Sequence, residues 1–270
     1  MSASEFHQVK EMTKKAYKLK QDKKYHEARI VLEEGLEEFP DNNYLKNSLA
    51  DLYIRMQRLE DADNLAEEIL TEDPDNYRAL SNKGSIAYNK RNYTQALDYY
   101  QQAYGIKKVV FLVTRIIKTY MKLEEYQQAL DLCQEWIERK PEDNQLIKLK
   151  AGIYDKMGDE EAAKKQYNKY LQQKPDDDFA YKEEIKLKIK DKSPREAVKQ
   201  LRQLMRIGNR KYNVHLHTLL AEKLEEMGQL EEAAAEYKEA LSLNPGDKFI
   251  LQNLGYCLKK MDQPESALDY

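Results

Sequence analysis

The chain has 270 residues, with 45 basic and 48 acidic side chains, a formal charge of -3, and 41% hydrophobic against 34% charged residues. This balance excludes a disordered, collagenous or membrane-embedded chain, and the near-neutral total excludes a continuous electrostatic sleeve for nucleic acid. With 9 Gly and 7 Pro there is too little punctuation for the many short strands of a sandwich or barrel, and the composition points to helices.

In chain order, residues 1–8 form a polar N-terminal tail. Lys10, Lys14 and Lys15 follow without an apolar run long enough for a signal peptide or anchor, so a cytoplasmic location is expected. Cys133 and Cys257 are far apart and lack CxxC spacing, which agrees with a reducing compartment.

From Val9 onward helical spacing recurs in pairs, dividing the chain into units 9–42, 43–76, 77–109, 110–143, 144–177, 178–213, 214–247 and a partial 248–270. In 43–76, Leu45, Leu49, Leu52 and Tyr53 mark a first helix, and Leu59, Ala62, Ala66 and Ile69 a second. In 77–109, Leu80 and Gly84 precede Tyr93, Ala96, Tyr100 and Ala103. Unit 110–143 sets Cys133, read as a small apolar packing residue, near Trp136, which fills a slot normally held by a small side chain. Unit 178–213 fits least well, because Ile185 and Lys188 stand where a small residue and an aromatic are expected; its turn offers Ser193 as N-cap and Pro194 at the first helical position. Unit 214–247 carries Leu220, Ala221, Gly228, Ala233, Tyr237, Ala240 and Pro245. The last unit stops at Ala267, Leu268, Asp269 and Tyr270, which predicts either continuation beyond Tyr270 or self-association through this end.

Two independent rulers measure the unit. Pro40 and Pro74, and Pro141 and Pro175, are each 34 residues apart. Ala28, Ala62, Ala96, Ala129, Ala163, Ala197, Ala233 and Ala267 are separated by 34, 34, 33, 34, 34, 36 and 34. A lone helical hairpin cannot bury both faces of its helices, so stacking of neighbours must supply the core.

These 34-residue helix-turn-helix units, with a small residue mid-helix, an aromatic soon after, an Ala early in the second helix and, in most of them, a closing Pro, resemble tetratricopeptide repeats (TPRs). The resemblance spans Val9 to Tyr270. It implies an all-α fold, a right-handed α-solenoid of about seven full units plus a partial eighth. It also implies a scaffold or adaptor that binds partner peptides or domains on a concave face lined by the first helix of each unit.

Chemistry is not signalled. No Gly-rich phosphate loop, GxSxG elbow, HExxH or DxDxDG pattern occurs, so no enzyme activity, cofactor or metal is expected. His215 and His217 are two apart on a helix, point to different faces, and read as surface histidines.

Positions at i, i+3, i+7 and i+10 of the first helices give Tyr44, Asn47, Asp51 and Ile54, then Arg78, Ser81, Ser85 and Tyr88, then Phe111, Thr114, Lys118 and Met121. Later units add Lys148, Phe179, Lys182, Lys186 and Ile189, and Asn82 and Arg115 are close enough in register to reach in. The expected partner-binding set is therefore Tyr44, Asn47, Arg78, Asn82, Tyr88, Phe111, Arg115, Lys118, Lys148, Phe179, Lys182 and Lys186. Its basic and aromatic character favours acidic partner segments with aromatic or aliphatic anchors. The clamp with which some TPR modules hold a chaperone C-terminus is not matched, since Asn47, Asp51 and Phe111 replace a Lys, an Asn and a Lys. Two alternatives remain: a self-assembling scaffold or interaction domain of a longer polypeptide, and a nucleic-acid binder, which Asp51, Asp155, Glu222 and Glu225 disfavour by interrupting the basic stripe.

Overall fold

The computed structural model describes residues 3–207 and 213–262; the fold is an all-α solenoid, with fifteen helices and no strand among the described residues. Two compact units are present, Met1–Pro141 and Glu142–Tyr270. The first contains α1 (Ala3–Gln21), α2 (Tyr25–Glu38), α3 (Asn43–Arg55), α4 (Leu59–Glu72), α5 (Tyr77–Asn89), α6 (Tyr93–Ile106), α7 (Val110–Lys122) and α8 (Tyr126–Arg139). The second contains α9 (Asn144–Met157), α10 (Glu160–Gln173), α11 (Asp178–Ile189), α12 (Pro194–Ile207), α13 (Asn213–Glu226), α14 (Leu230–Leu243) and α15 (Lys248–Lys260). Residues 3–8, placed in a tail by the repeat numbering, are helical in α1. The expected helix through Ala267, Leu268, Asp269 and Tyr270 lies outside the described residues, as does the surface on which self-association of that end would depend.

The recurring Pro-polar-polar segments have a structural reason. The N-caps Asn42, Asn76, Asp143, Asp177 and Asp247 each stand two residues after a Pro, and each side chain accepts backbone N–H bonds from the helix it opens. A cap of this kind is worth about 1 kcal/mol. Ser193 and Glu196 form a reciprocal capping box at α12, with Glu196 accepting from the Ser193 N–H at 3.0 Å and the Ser193 hydroxyl accepting from the Glu196 N–H at 3.4 Å.

Within the helical hairpins the chain reverses through one left-handed residue, at Lys23, Gln57, Arg91, Glu124, Gly158 and Gly228, with φ between 60° and 80°, and Asp262 after α15 has φ 56°. Only two of these are Gly. The hairpin α11–α12 is built differently: Lys190 remains right-handed, and its turn is longer.

Small residues set the approach of paired helices. Ala28, Ala62, Ala96, Ala129, Ala163, Ala197 and Ala233 are all fully buried, so the spacing that measures the repeat also marks its closest contacts. In Met1–Pro141 the core gathers Leu32, Leu45, Leu49, Leu52 and Tyr53, then Leu80, Tyr100, Leu112 and Ile116. In Glu142–Tyr270, Ile147, Tyr167 and Leu187 form one cluster, and Ile185, Leu201, Leu220, Tyr237 and Leu254 another. Ile185 is thus fully buried despite its departure from the repeat pattern, and Lys188 pairs with the buried carboxylate of Glu184. Cys133 and Cys257 are buried free thiols. Trp136 packs on Tyr104, donating its indole N–H to the phenol oxygen at 3.0 Å.

Candidate docking site

The first helices of Met1–Pro141 enclose a concavity of about 510 Å³ lined by α1, α3, α5 and α7. Its walls carry Lys10, Lys14, Lys20, Arg55, Arg78 and Arg115 against a single acid, Asp51. Tyr17, Tyr44 and Phe111 stand at its edge and are 59%, 45% and 40% exposed, which sets them apart from the buried tyrosines of the core.

Asp51 organises the basic side. Its carboxylate accepts a hydrogen bond from Lys20 Nζ at 2.5 Å, while Arg55 Nε stands 3.6 Å away and Arg115 Nη2 3.7 Å away. Burial alone would raise the Asp51 pKa; Lys20, Arg115 and Arg55 outweigh it and hold the carboxyl below its ordinary value. Arg115 is anchored independently, donating to the Ser85 hydroxyl and, at 3.4 Å, to the Tyr100 hydroxyl.

A second group of lining side chains is aromatic. The Arg78 guanidinium stacks 5.1 Å from the Tyr44 ring and 5.6 Å from Tyr77, and Tyr77 lies 6.3 Å from Phe111. Below these side chains Asn47 and Asn82 form the floor: Asn82 donates to the Asn47 backbone and side-chain oxygens at 3.2 Å, and Asn47 donates to the Asn76 side chain at 3.2 Å.

Six of the expected partner-binding residues therefore meet in one place, Tyr44, Asn47, Arg78, Asn82, Phe111 and Arg115, together with Asp51 and Ser81 from the same stripes. Tyr88 does not line it; it is half-buried and packs edge-on against Tyr93 at 5.2 Å. Lys118 is exposed on α7 and also lies outside the lining. Ile54, Ser85, Thr114 and Ile189, expected to face outward, are buried outside the lining; Ser81 is buried too but does line the concavity. At about 100° per residue the i+3 and i+10 positions lie about 60° and 80° from position i, which turns Ile54, Thr114 and Ile189 toward their neighbours. Ser85, at i+7, is instead covered by Tyr100 and Arg115, with which it hydrogen-bonds.

Sequence reasoning missed Arg55 on α3 and a whole set of residues on α1. The same spacing applied one repeat earlier gives Lys10, Thr13, Tyr17 and Lys20, all of which line the concavity. The signal was present in the register.

In Glu142–Tyr270 two of the remaining predicted lysines, Lys148 and Lys186, are paired with carboxylates. Lys148 binds Asp177 at 2.7 Å and lies 4.7 Å from the Phe179 ring. Lys186 approaches Glu183 at 3.4 Å, and Lys182 rests 5.9 Å from Phe249. The surface reading of the two histidines needs correction: both are half-buried, and His217 contacts Glu236 at 2.6 Å. Burial lowers the His215 pKa, with Lys182 and Lys186 acting in the same direction against Asp178 and Asp247. Among the described residues no group of three His, Cys, Asp or Glu side chains is arranged to hold a metal, and no helix is long and apolar enough to cross a membrane.

Residues 3–157 match the tetratricopeptide repeat protein 21 C-terminal ARM domain, and residues 149–177, 214–247 and 236–269 match tetratricopeptide repeats. No curated protein sequence matches. Among solved structures, a tetratricopeptide repeat protein from Parabacteroides merdae is 17% identical, with 93% of this chain and 99% of that chain aligned at a TM-score of 0.64. The APC/C hetero-tetramer Cut9–Hcn1 contains a chain 15% identical, with 90% of this chain and 48% of that one aligned at 0.63. PilF of Pseudomonas aeruginosa is 14% identical over 90% and 95% of the two chains, at 0.53. At these identities the structural likenesses establish the fold alone. The chain belongs to the tetratricopeptide-repeat family.

Proposed function

We propose that this protein is a non-catalytic, cytoplasmic protein-interaction scaffold, and that the concavity of Met1–Pro141 docks an extended, acidic partner segment carrying aromatic or aliphatic side chains. The observation that supports this reading is the lining: six cations face one carboxylate, beside three exposed aromatic rings. Charge of one sign in a concave wall speeds the encounter with an oppositely charged segment, and rings at the edge supply the apolar anchors that slow its release. Protein assembly is also what Cut9 and Hcn1 share in their hetero-tetramer, built on the same fold. The two buried free thiols suit a reducing compartment. The lysines of Glu142–Tyr270 contribute less to this reading, because Lys148 and Lys186 already face carboxylates.

The test reverses the wall charges that lie away from the core. Lys10, Lys14 and Arg78 are exposed, so the combined variant Lys10→Glu, Lys14→Glu, Arg78→Glu should keep its helical content. A pool of acidic peptides with aromatic positions should lose most of its retention on this variant at low salt, and the difference should shrink at high salt. Retention equal to that of the unaltered chain would place the contact elsewhere.

A further inference from the structure

We propose that the basic side of the concavity is a phosphoryl-recognition subsite, so that the preferred partner segment is a phosphopeptide. This rests on reading the concavity as a peptide-docking surface and goes one step further, to the chemistry of the group that enters it.

The argument begins with charge. Lys20, Arg55 and Arg115 surround Asp51, three cations to one carboxylate, leaving an excess of two positive charges that the described side chains of the cluster do not neutralise. A phosphomonoester carries about -1.5 to -2 at neutral pH and matches that excess; a carboxylate brings -1 and leaves half of it unmet. Geometry points the same way. Asp51 takes Lys20 at hydrogen-bond distance, but Arg55 and Arg115 approach it only at 3.6 and 3.7 Å, beyond hydrogen-bond length. Asp51 therefore attracts both guanidinium groups without consuming their donors. Among the described residues the only side-chain partner of Arg55 is Asp51, beyond hydrogen-bond length, and Arg115 directs Nη1 to Ser85 and Tyr100 while Nη2 remains on the Asp51 side.

Guanidinium forks suit an acceptor with three oxygens, which can bridge two of them at once. A carboxylate entering the site would offer two oxygens to groups that already face one carboxylate. The Arg115 side chain would also remain in place as the ligand binds, because Ser85 and Tyr100 hold it independently of Asp51. The aromatic side, with Tyr44, Arg78 and Phe111, then receives a neighbouring apolar side chain of the same segment. This second contact is why the occupant is a peptide and not free phosphate.

Three pools of acidic–aromatic peptides, identical except for a fixed central Ser, phosphoserine or Glu, would be passed over the immobilised full chain at moderate salt. The phosphoserine pool should be retained about tenfold or more better than the serine pool and clearly better than the Glu pool, about tenfold being the scale of a single charge-assisted hydrogen bond. Arg55→Gln alters a half-exposed side chain; it should remove most of that increment, while retention of the serine pool falls only by the smaller amount expected for losing one of six wall cations. Arg115→Lys keeps the charge but removes the fork, and should reduce the increment as well. Free phosphoserine at the same concentration should displace little.

Equal retention of the phosphoserine and Glu pools would overturn the phosphoryl subsite and leave the docking surface standing. So would an increment that survives both arginine changes. Full displacement by free phosphoserine would overturn the peptide as occupant. If none of the pools is retained, the docking surface itself fails and this subsite with it.

Discussion

A Cβ atom built on Gly84 would lie 2.6 Å from the ring of Tyr100. The ring cannot easily give way, since it is 2% exposed and its hydroxyl meets both Ser85 and Arg115. Gly84→Ala should therefore destabilise the protein by about 1–3 kcal/mol through overpacking, measured as a lowered denaturant midpoint. An unchanged midpoint would mean that α5 and α6 are not in the contact described.

The left-handed turn residues make an opposite pair of tests. Arg91, exposed at φ 62°, should gain about 1 kcal/mol when replaced by Gly, because the Cβ penalty of that conformation disappears. Gly158 has φ 80° and open space around it, so Gly158→Ala should cost a similar amount from the backbone alone. Thermal or denaturant melts check both, and equal effects in the same direction would contradict the turn geometry.

Acid sensitivity follows from Asp51 and Asp177. Burial raises both pKa values, but it is outweighed by Lys20, Arg115 and Arg55 at Asp51, and by Lys148, Tyr170 and the Ala180 N–H at Asp177. Each folded pKa ends below the ordinary 3.8, so each group contributes stability that is present above 3.8 and is lost as pH falls through the folded value. His215, lowered from 6.5, also favours the folded state at higher pH, its contribution falling as pH drops below 6.5. Stability measured against pH should decline in the acid range, and Asp51→Asn should flatten the part below about pH 4. A variant whose acid limb is as steep as that of the unaltered chain would show that Asp51 is not held in the charged cluster.

How much of this is legible in the sequence depends on whether a feature repeats. The buried alanines and the capped Pro segments recur because every hairpin meets the same packing and capping problem, and so the fold can be read. The turn residues Lys23, Gln57, Arg91 and Glu124 share a backbone conformation but no side-chain chemistry, and so carry no such signal. At the site, Tyr44, Arg78 and Phe111 are readable as exposed positions of first helices. That Lys148 and Lys186 are engaged by Asp177 and Glu183 becomes evident only when side-chain positions are known. The convergence of Lys20, Arg55 and Arg115 on Asp51 is likewise a product of three helices meeting, with Lys20 and Arg115 far apart in the chain.

The central claim is that partner segments dock in the concavity of Met1–Pro141, and lysine footprinting tests it most directly. The full chain would be reductively methylated with and without a saturating acidic–aromatic phosphopeptide pool, and the rate at each lysine read by mass spectrometry. Lys10 and Lys14, on the wall of the concavity, should be modified several-fold more slowly in the presence of peptide, while Lys118 and Lys182 keep their rates. Protection of Lys118 or Lys182 with Lys10 and Lys14 unchanged would contradict the account.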